Sequence, residues 1–166
     1  MRFAYYETLS KRDQEIYRQS DRVAGIDVER PETLAPRVEA LRAALAADDQ
    51  AGVAAASQSL ADGLCDKLAV PPVDVEILAV RPKLPDDAEL HGLYTADEAA
   101  ERPRIQLWMR TAARGRVVAF RTFARTLLHE LCHHLDYELL HLDNSFHTEG
   151  FFKRESSLVR ALLPPR

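Results

Sequence analysis

Cysteine is scarce in this 166-residue chain, which contains only Cys65 and Cys132. Two cysteines cannot build a disulfide framework or a cysteine zinc ribbon, and free thiols point to a reducing compartment. No apolar run approaches the ~20 residues of a membrane-spanning helix. The opening stretch, MRFAYYETLSKRDQEIYRQSD, has no apolar core of a signal peptide. Internal repeats, low-complexity tracts and long linkers are missing as well. These absences give a cytoplasmic protein with no membrane partner as the expectation. A net charge of −4 and a pI near 5.9 give the chain no general attraction for nucleic acid. What remains is an ordinary globular composition, 46% hydrophobic and 29% charged, long enough for one domain over 1–166 with a real core.

Periodicity divides the chain into a helical first part, 1–70, and a second part, 73–163, that mixes strands and helices. Residues 10–21 read as a short polar helix with Ser10 as N-cap. Thr33 is placed to cap a second helix ending near 47, with Leu34, Val38, Leu41 and Leu45 at helical spacing. A third helix covers 50–68, turns Val53, Leu60, Leu64 and Leu68 inward, and stops at Pro71-Pro72. The segment 73–80 (VDVEILAV) has strand character, and Pro82 and Pro85 break it. A short strand is expected at 91–95, and a clearly alternating one at 104–110 (RIQLWMR). Helices follow over about 117–140 and 149–163. The expected class is α+β: N-terminal helices, a small antiparallel sheet, then two helices that carry the chemistry.

His129-Glu130-Leu131-Cys132-His133 is an H-E-x-x-H run. A helix turns about 100° per residue, so positions four apart share one face. Both imidazoles can reach one metal ion, expected to be Zn2+, and Glu130 can act as catalytic base beside it. Phe120, Ala124, Leu127, Leu131 and Leu135 form the packing stripe. His129 and His133 project roughly opposite, together with Thr122 and Thr126, free to line a cleft. A catalytic zinc takes a third protein ligand and keeps a fourth position open. Three candidates lie downstream: His147 in the polar turn LDNSFHTEG, Glu149 beside it, and Glu155 on the inward stripe Phe151, Glu155, Leu158 and Leu162.

The blocks Leu128-His129-Glu130-Leu131-Cys132-His133 and His147-Thr148-Glu149-Gly150-Phe151-Phe152-Lys153 resemble the SprT-like metallopeptidases and the related WLM group of small zincins. The resemblance spans roughly 90–163 and leaves the N-terminal helices uncovered. It implies zinc-dependent hydrolysis of a protein or peptide substrate, with His147 as third ligand and Phe151 as the aromatic four residues on. Glu155 would then sit deeper and accept hydrogen bonds. The strand at 105–109 would be the edge along which substrate lies extended. The cysteine ribbon of many bacterial members has no counterpart after His147, and the DNA-binding modules of eukaryotic members lie outside the match. A DNA-repair role is therefore not carried over.

Other residues have more than one reading. His134 projects near the core stripe and reads as buried or at its edge, and Cys132 as a small packing residue. His141 suits a capping role at the helix end. Asp136 is either an acceptor that orients His133 or a solvated helix charge. Tyr94 and Tyr137 are both candidate donors to an oxyanion. His91, near a strand end, has no assigned role. Arg102, Arg104, Arg110, Arg114, Arg116, Arg121 and Arg125 precede His129 without one intervening acid. They indicate either an anionic partner, nucleic acid or an acidic substrate, or a solvated surface balanced by acids elsewhere, which is preferred. A metallopeptidase is the expected function. The alternatives are a non-catalytic structural or sensory zinc domain serving as a binding module, and a nucleic-acid-binding protein using the arginine segment.

Overall fold

The computed structural model describes residues 3–82, 90–96 and 102–165; Pro85 lies outside the described residues. After a 3-10 turn at Ala4–Thr8, three helices follow: α1 (Lys11–Asp21), α2 (Ala35–Ala46) and α3 (Gln50–Leu68). Ser10 caps α1 by accepting the Asp13 N–H at 3.1 Å. Thr33 does not cap α2. It sits within a second 3-10 turn, Pro31–Leu34, and spends its hydroxyl on the Arg30 carbonyl at 2.9 Å. Proline in the first turn starts α2 instead, where its fixed φ is already helical. Asp49 caps α3 through the Gly52 N–H at 3.0 Å.

The strands are β1 (Asp74–Val80), β2 (Gly92–Thr95) and β3 (Arg104–Arg110), in the order β1-β3-β2. The fold is α+β, but the sheet is mixed rather than antiparallel. β1 runs parallel to β3, with Asp74 beside Arg104, and β2 runs antiparallel to it, with Gly92 beside Leu107. Alternation along a strand identifies its buried face but not its neighbour, and here the last strand returns between the first two. β3, expected at the edge, is therefore central. Ile105, Leu107, Trp108 and Met109 are buried, and both of its ladders are taken. Side chains of α3 close the outer side of β1: Gln58 accepts from the Val75 N–H and donates to the Val73 carbonyl, and Gln50 donates to the Ile77 carbonyl. Among the described residues, β2 is left as the open edge.

Helix α4 (Phe120–Glu138) begins later than residue 117 because the chain first extends the sheet: Val117 bridges Arg110, and the Val118 N–H donates to the Met109 carbonyl. Phe123, Ala124, Leu127, Leu128, Leu131 and Leu135 are buried on its packing face. Phe120 is only partly buried, with the Arg42 guanidinium 4.5 Å above its ring. A large apolar side chain gains about 1.5–3 kcal/mol on burial, so this stripe fixes which face of α4 remains for polar residues. His141 closes α4 with its backbone rather than its imidazole. Its left-handed φ of 52° lets the Leu142 N–H reach the Asp136 carbonyl at 2.9 Å.

Helix α5 (Glu149–Leu162) is capped by Thr148, whose hydroxyl accepts the Phe151 N–H at 3.0 Å. Its start lies against the end of α1. A Cβ on Gly150 would stand 2.5 Å from the Ser20 carbonyl oxygen, so only glycine permits this approach. Among the described residues, no helix is long and apolar enough to cross a membrane.

Candidate metal centre

The four-residue spacing Arg121, Arg125, His129, His133, Tyr137 places five side chains of α4 along one cleft of about 850 Å3. His147 enters the same cleft from the turn before α5. Its Nε2 lies 3.0 Å from His129 Nε2 and 3.1 Å from His133 Nε2, and one ligand nitrogen from each ring falls within 4.8 Å of the others. Two nitrogens bound to one tetrahedral zinc stand about 3.3 Å apart, given the usual Zn–N bond length.

The surrounding hydrogen bonds decide where the ring protons sit. His129 Nδ1 lies 3.0 Å from the Glu155 carboxylate, which can only accept, so the nitrogen carries the proton. Ser145 donates its hydroxyl to Asp136 at 2.8 Å and is 2.7 Å from His133 Nδ1, so it accepts the proton of that ring. With Nδ1 of each ring engaged in this way, Nε2 of His129 and Nε2 of His133 are the nitrogens turned toward the space beside His147 Nε2. One proton on His147 could satisfy only one of them. A cation shared by the three nitrogens satisfies all three, so the donor set fits a metal that prefers imidazole. Burial lowers the pKa of His133 to about 3, with His129 and His147 adding to the effect, and keeps the ring neutral at physiological pH. His147 is lowered by burial and then by His129.

The two second-row carboxylates differ in how they are held. Burial pushes the Glu155 pKa up, but hydrogen bonds from His129 and Arg125 outweigh it and hold the carboxyl below its usual range. Arg125 Nε donates to it at 2.5 Å. Asp136 is fully buried and is no solvated helix charge. It orients His133 through Ser145 rather than directly. Its counter-charge is the buried Arg154, which also donates to the Ser20 and Val23 carbonyls and to the Ser20 hydroxyl at 2.6–2.9 Å. Glu149, the other acidic candidate, faces solvent and pairs with Lys153 at 2.8 Å.

Glu130 lines the cleft and is buried to 6% exposure. Burial raises its pKa, while His129 and the Tyr94 backbone N–H pull it back. A Cβ on Gly92 would lie 2.6 Å from Glu130 Oε1, so a glycine in β2 makes room for the carboxylate. His134 is buried, as its position suggests. Its Nε2 donates to the Pro71 carbonyl at 2.8 Å, which leaves Nδ1 to accept from the Tyr94 hydroxyl at 3.3 Å. Tyr94 has thus committed its proton, whereas Tyr137 donates to Asn144 only at 3.4 Å. Cys132 is buried within the core, and burial raises its thiol pKa. His91 lies at the rim of the cleft.

The N-terminal residues grip the segment that delivers His147. Tyr5 donates its hydroxyl to the His147 carbonyl at 2.6 Å. Ser20 Oγ meets Thr148 Oγ1 at 3.1 Å, and Asp21 accepts the Gly150 N–H at 2.9 Å. The sequence carries no signal for Tyr5 or Ser145, because each acts across a fold contact. Gly92 did carry one, as a lone glycine inside a strand pattern. Tyr5→Phe keeps the ring and removes only the hydroxyl. It is expected to weaken metal binding about fivefold, the worth of one net hydrogen bond, with little change in the metal-free thermal midpoint. Chelator competition measures this, and unchanged affinity would remove Tyr5 from the support of His147.

Compared with protein-family models, with curated proteins and with solved structures, the chain finds no significant match in any of the three.

Proposed function

We propose that this chain is a zinc-dependent metallopeptidase with Glu130 as its base. One observation carries the proposal: the Nε2 atoms of His129, His133 and His147 converge in a cleft that Glu130 also lines. Three imidazoles suit zinc, whereas calcium and magnesium take oxygen ligands. Three protein ligands leave a fourth position open, as in catalytic rather than structural sites. Bound there, the ion would act as a Lewis acid and lower the pKa of water toward ~7. Glu130 accepts the proton of the attacking water and returns it to the leaving amine. Its raised pKa makes it the stronger base in the first of these steps. Tyr137 is the side chain left to donate toward the carbonyl oxygen of the substrate. The open edge of β2, beside the same cleft, suits a peptide lying extended. The resemblance to SprT-like metallopeptidases in the two histidine blocks supports the same reading.

Reconstitution with zinc is expected to give about one ion per chain and cleavage of an unfolded protein substrate. Protein that takes up no metal would end the proposal. Stoichiometric zinc without any cleavage would leave a structural zinc domain in its place.

A further inference from the structure

The seven arginines before His129 are not disposed alike. Arg102 pairs with Asp74 at 3.7 Å, Arg104 with Glu76 at 3.8 Å, and Arg110 with Asp48. Arg114 and Arg116 are exposed in the turn after β3, away from the cleft. Arg121 and Arg125 alone among the seven line the cleft. They continue the four-residue row of His129 and His133 toward the start of α4. Arg125 gives Nε to Glu155, and its two terminal nitrogens have no partner among the described residues. Arg121 gives one terminal nitrogen to the Pro164 carbonyl at 2.7 Å, an uncharged acceptor, and pairs with no acid among the described residues.

We infer that Arg121 and Arg125 form a subsite for an acidic side chain of the bound substrate, so that the substrate class is peptides carrying Asp or Glu near the cleaved bond. This rests on the peptidase reading. Arg125 and Arg121 precede His129 by one and two helical turns, about 6 and 12 Å along the axis. An extended peptide advances about 3.4 Å per residue, so the acidic side chain falls roughly two to four residues from the cut. A guanidinium with free terminal nitrogens presents parallel donors that match a carboxylate. Leu90 and Val159 also line the cleft and offer apolar surface for the stem of the same side chain. A nucleic-acid strand fits less well. It needs a row of unneutralised cations along its phosphates. Here four of the seven arginines face acids, Arg125 through its Nε alone, and the whole chain carries a net charge of −4.

The test uses the full-length, zinc-loaded Glu130→Gln protein, so that binding is read without turnover. Two fluorescein-labelled degenerate decapeptide libraries, identical except for Glu or Gln at one fixed position, are titrated by anisotropy. The Glu library is expected to bind about tenfold tighter, and Arg121→Gln in the same background to erase the difference. Equal binding of the two libraries overturns the subsite, as does a preference that survives Arg121→Gln. A single-stranded oligonucleotide that outcompetes the Glu library at physiological salt, with Arg121→Gln abolishing the effect, overturns it in favour of a phosphodiester ligand. Selective binding together with no cleavage by the wild-type protein would leave the subsite standing and remove the peptidase reading.

Discussion

On the proposed metallopeptidase reading, Glu130→Gln is expected to keep its zinc and to lose peptide hydrolysis by a factor of about 10²–10⁴, the usual worth of general-base catalysis. The amide has the shape of the carboxylate and fits the space that Gly92 leaves, but it cannot accept a proton from water. Metal content should hold because the converging nitrogens are those of His129, His133 and His147. Stability should not fall. Burial raises the folded-state pKa of Glu130, so at pH values above the ordinary carboxylate range its charge costs folding free energy. The neutral amide removes that cost. Elemental analysis, a cleavage assay and a thermal melt at neutral pH check the three parts. Hydrolysis at the wild-type rate would exclude Glu130 as the base.

The second large effect separates the downstream candidates for the third ligand. His147→Ala removes one of the three converging nitrogens and is expected to weaken zinc binding by well over about 100-fold. Glu155→Gln keeps one acceptor oxygen but loses the charge shared by His129 Nδ1, on the side of the ring away from His147, and Arg125, and should weaken it about 10–100-fold, as outer-shell partners do. Zinc titration of both variants against a calibrated chelator gives the order. Glu155→Gln losing more zinc than His147→Ala would make Glu155 the ligand and His147 a residue of the cleft wall.

Much of this molecule can be read locally. Ser10 caps α1 because its hydroxyl needs only the N–H three residues on. The H-E-x-x-H spacing puts His129 and His133 on one face because helical geometry does so wherever a helix forms. Local rules fail where a competing turn forms or where a neighbour more distant in sequence intervenes. Thr33 reads as a cap, yet the chain makes a 3-10 turn around it and Arg30 takes its hydroxyl. Residues 117–119 read as helix, yet Met109 and Arg110 draw them into contact with β3. Asp136 reads equally as an acceptor orienting His133 or as a solvated helix charge, and its burial against Arg154, eighteen residues away, excludes the second.

The sequence by itself determined the helices, the strand positions, the packing face of α4 and the identity of the chemical groups, because periodicity and capping act within a few residues. Tertiary structure alone decided that the sheet is mixed, that β2 rather than β3 is the open edge, and that Tyr5 holds the turn bearing His147. It also decided that Ser145 stands between Asp136 and His133, and that Arg121 and Arg125, but not their five neighbours, reach the cleft. Each of these depends on which surfaces meet when the apolar faces are buried together. That outcome is set by the whole chain's packing, and no window of sequence contains it.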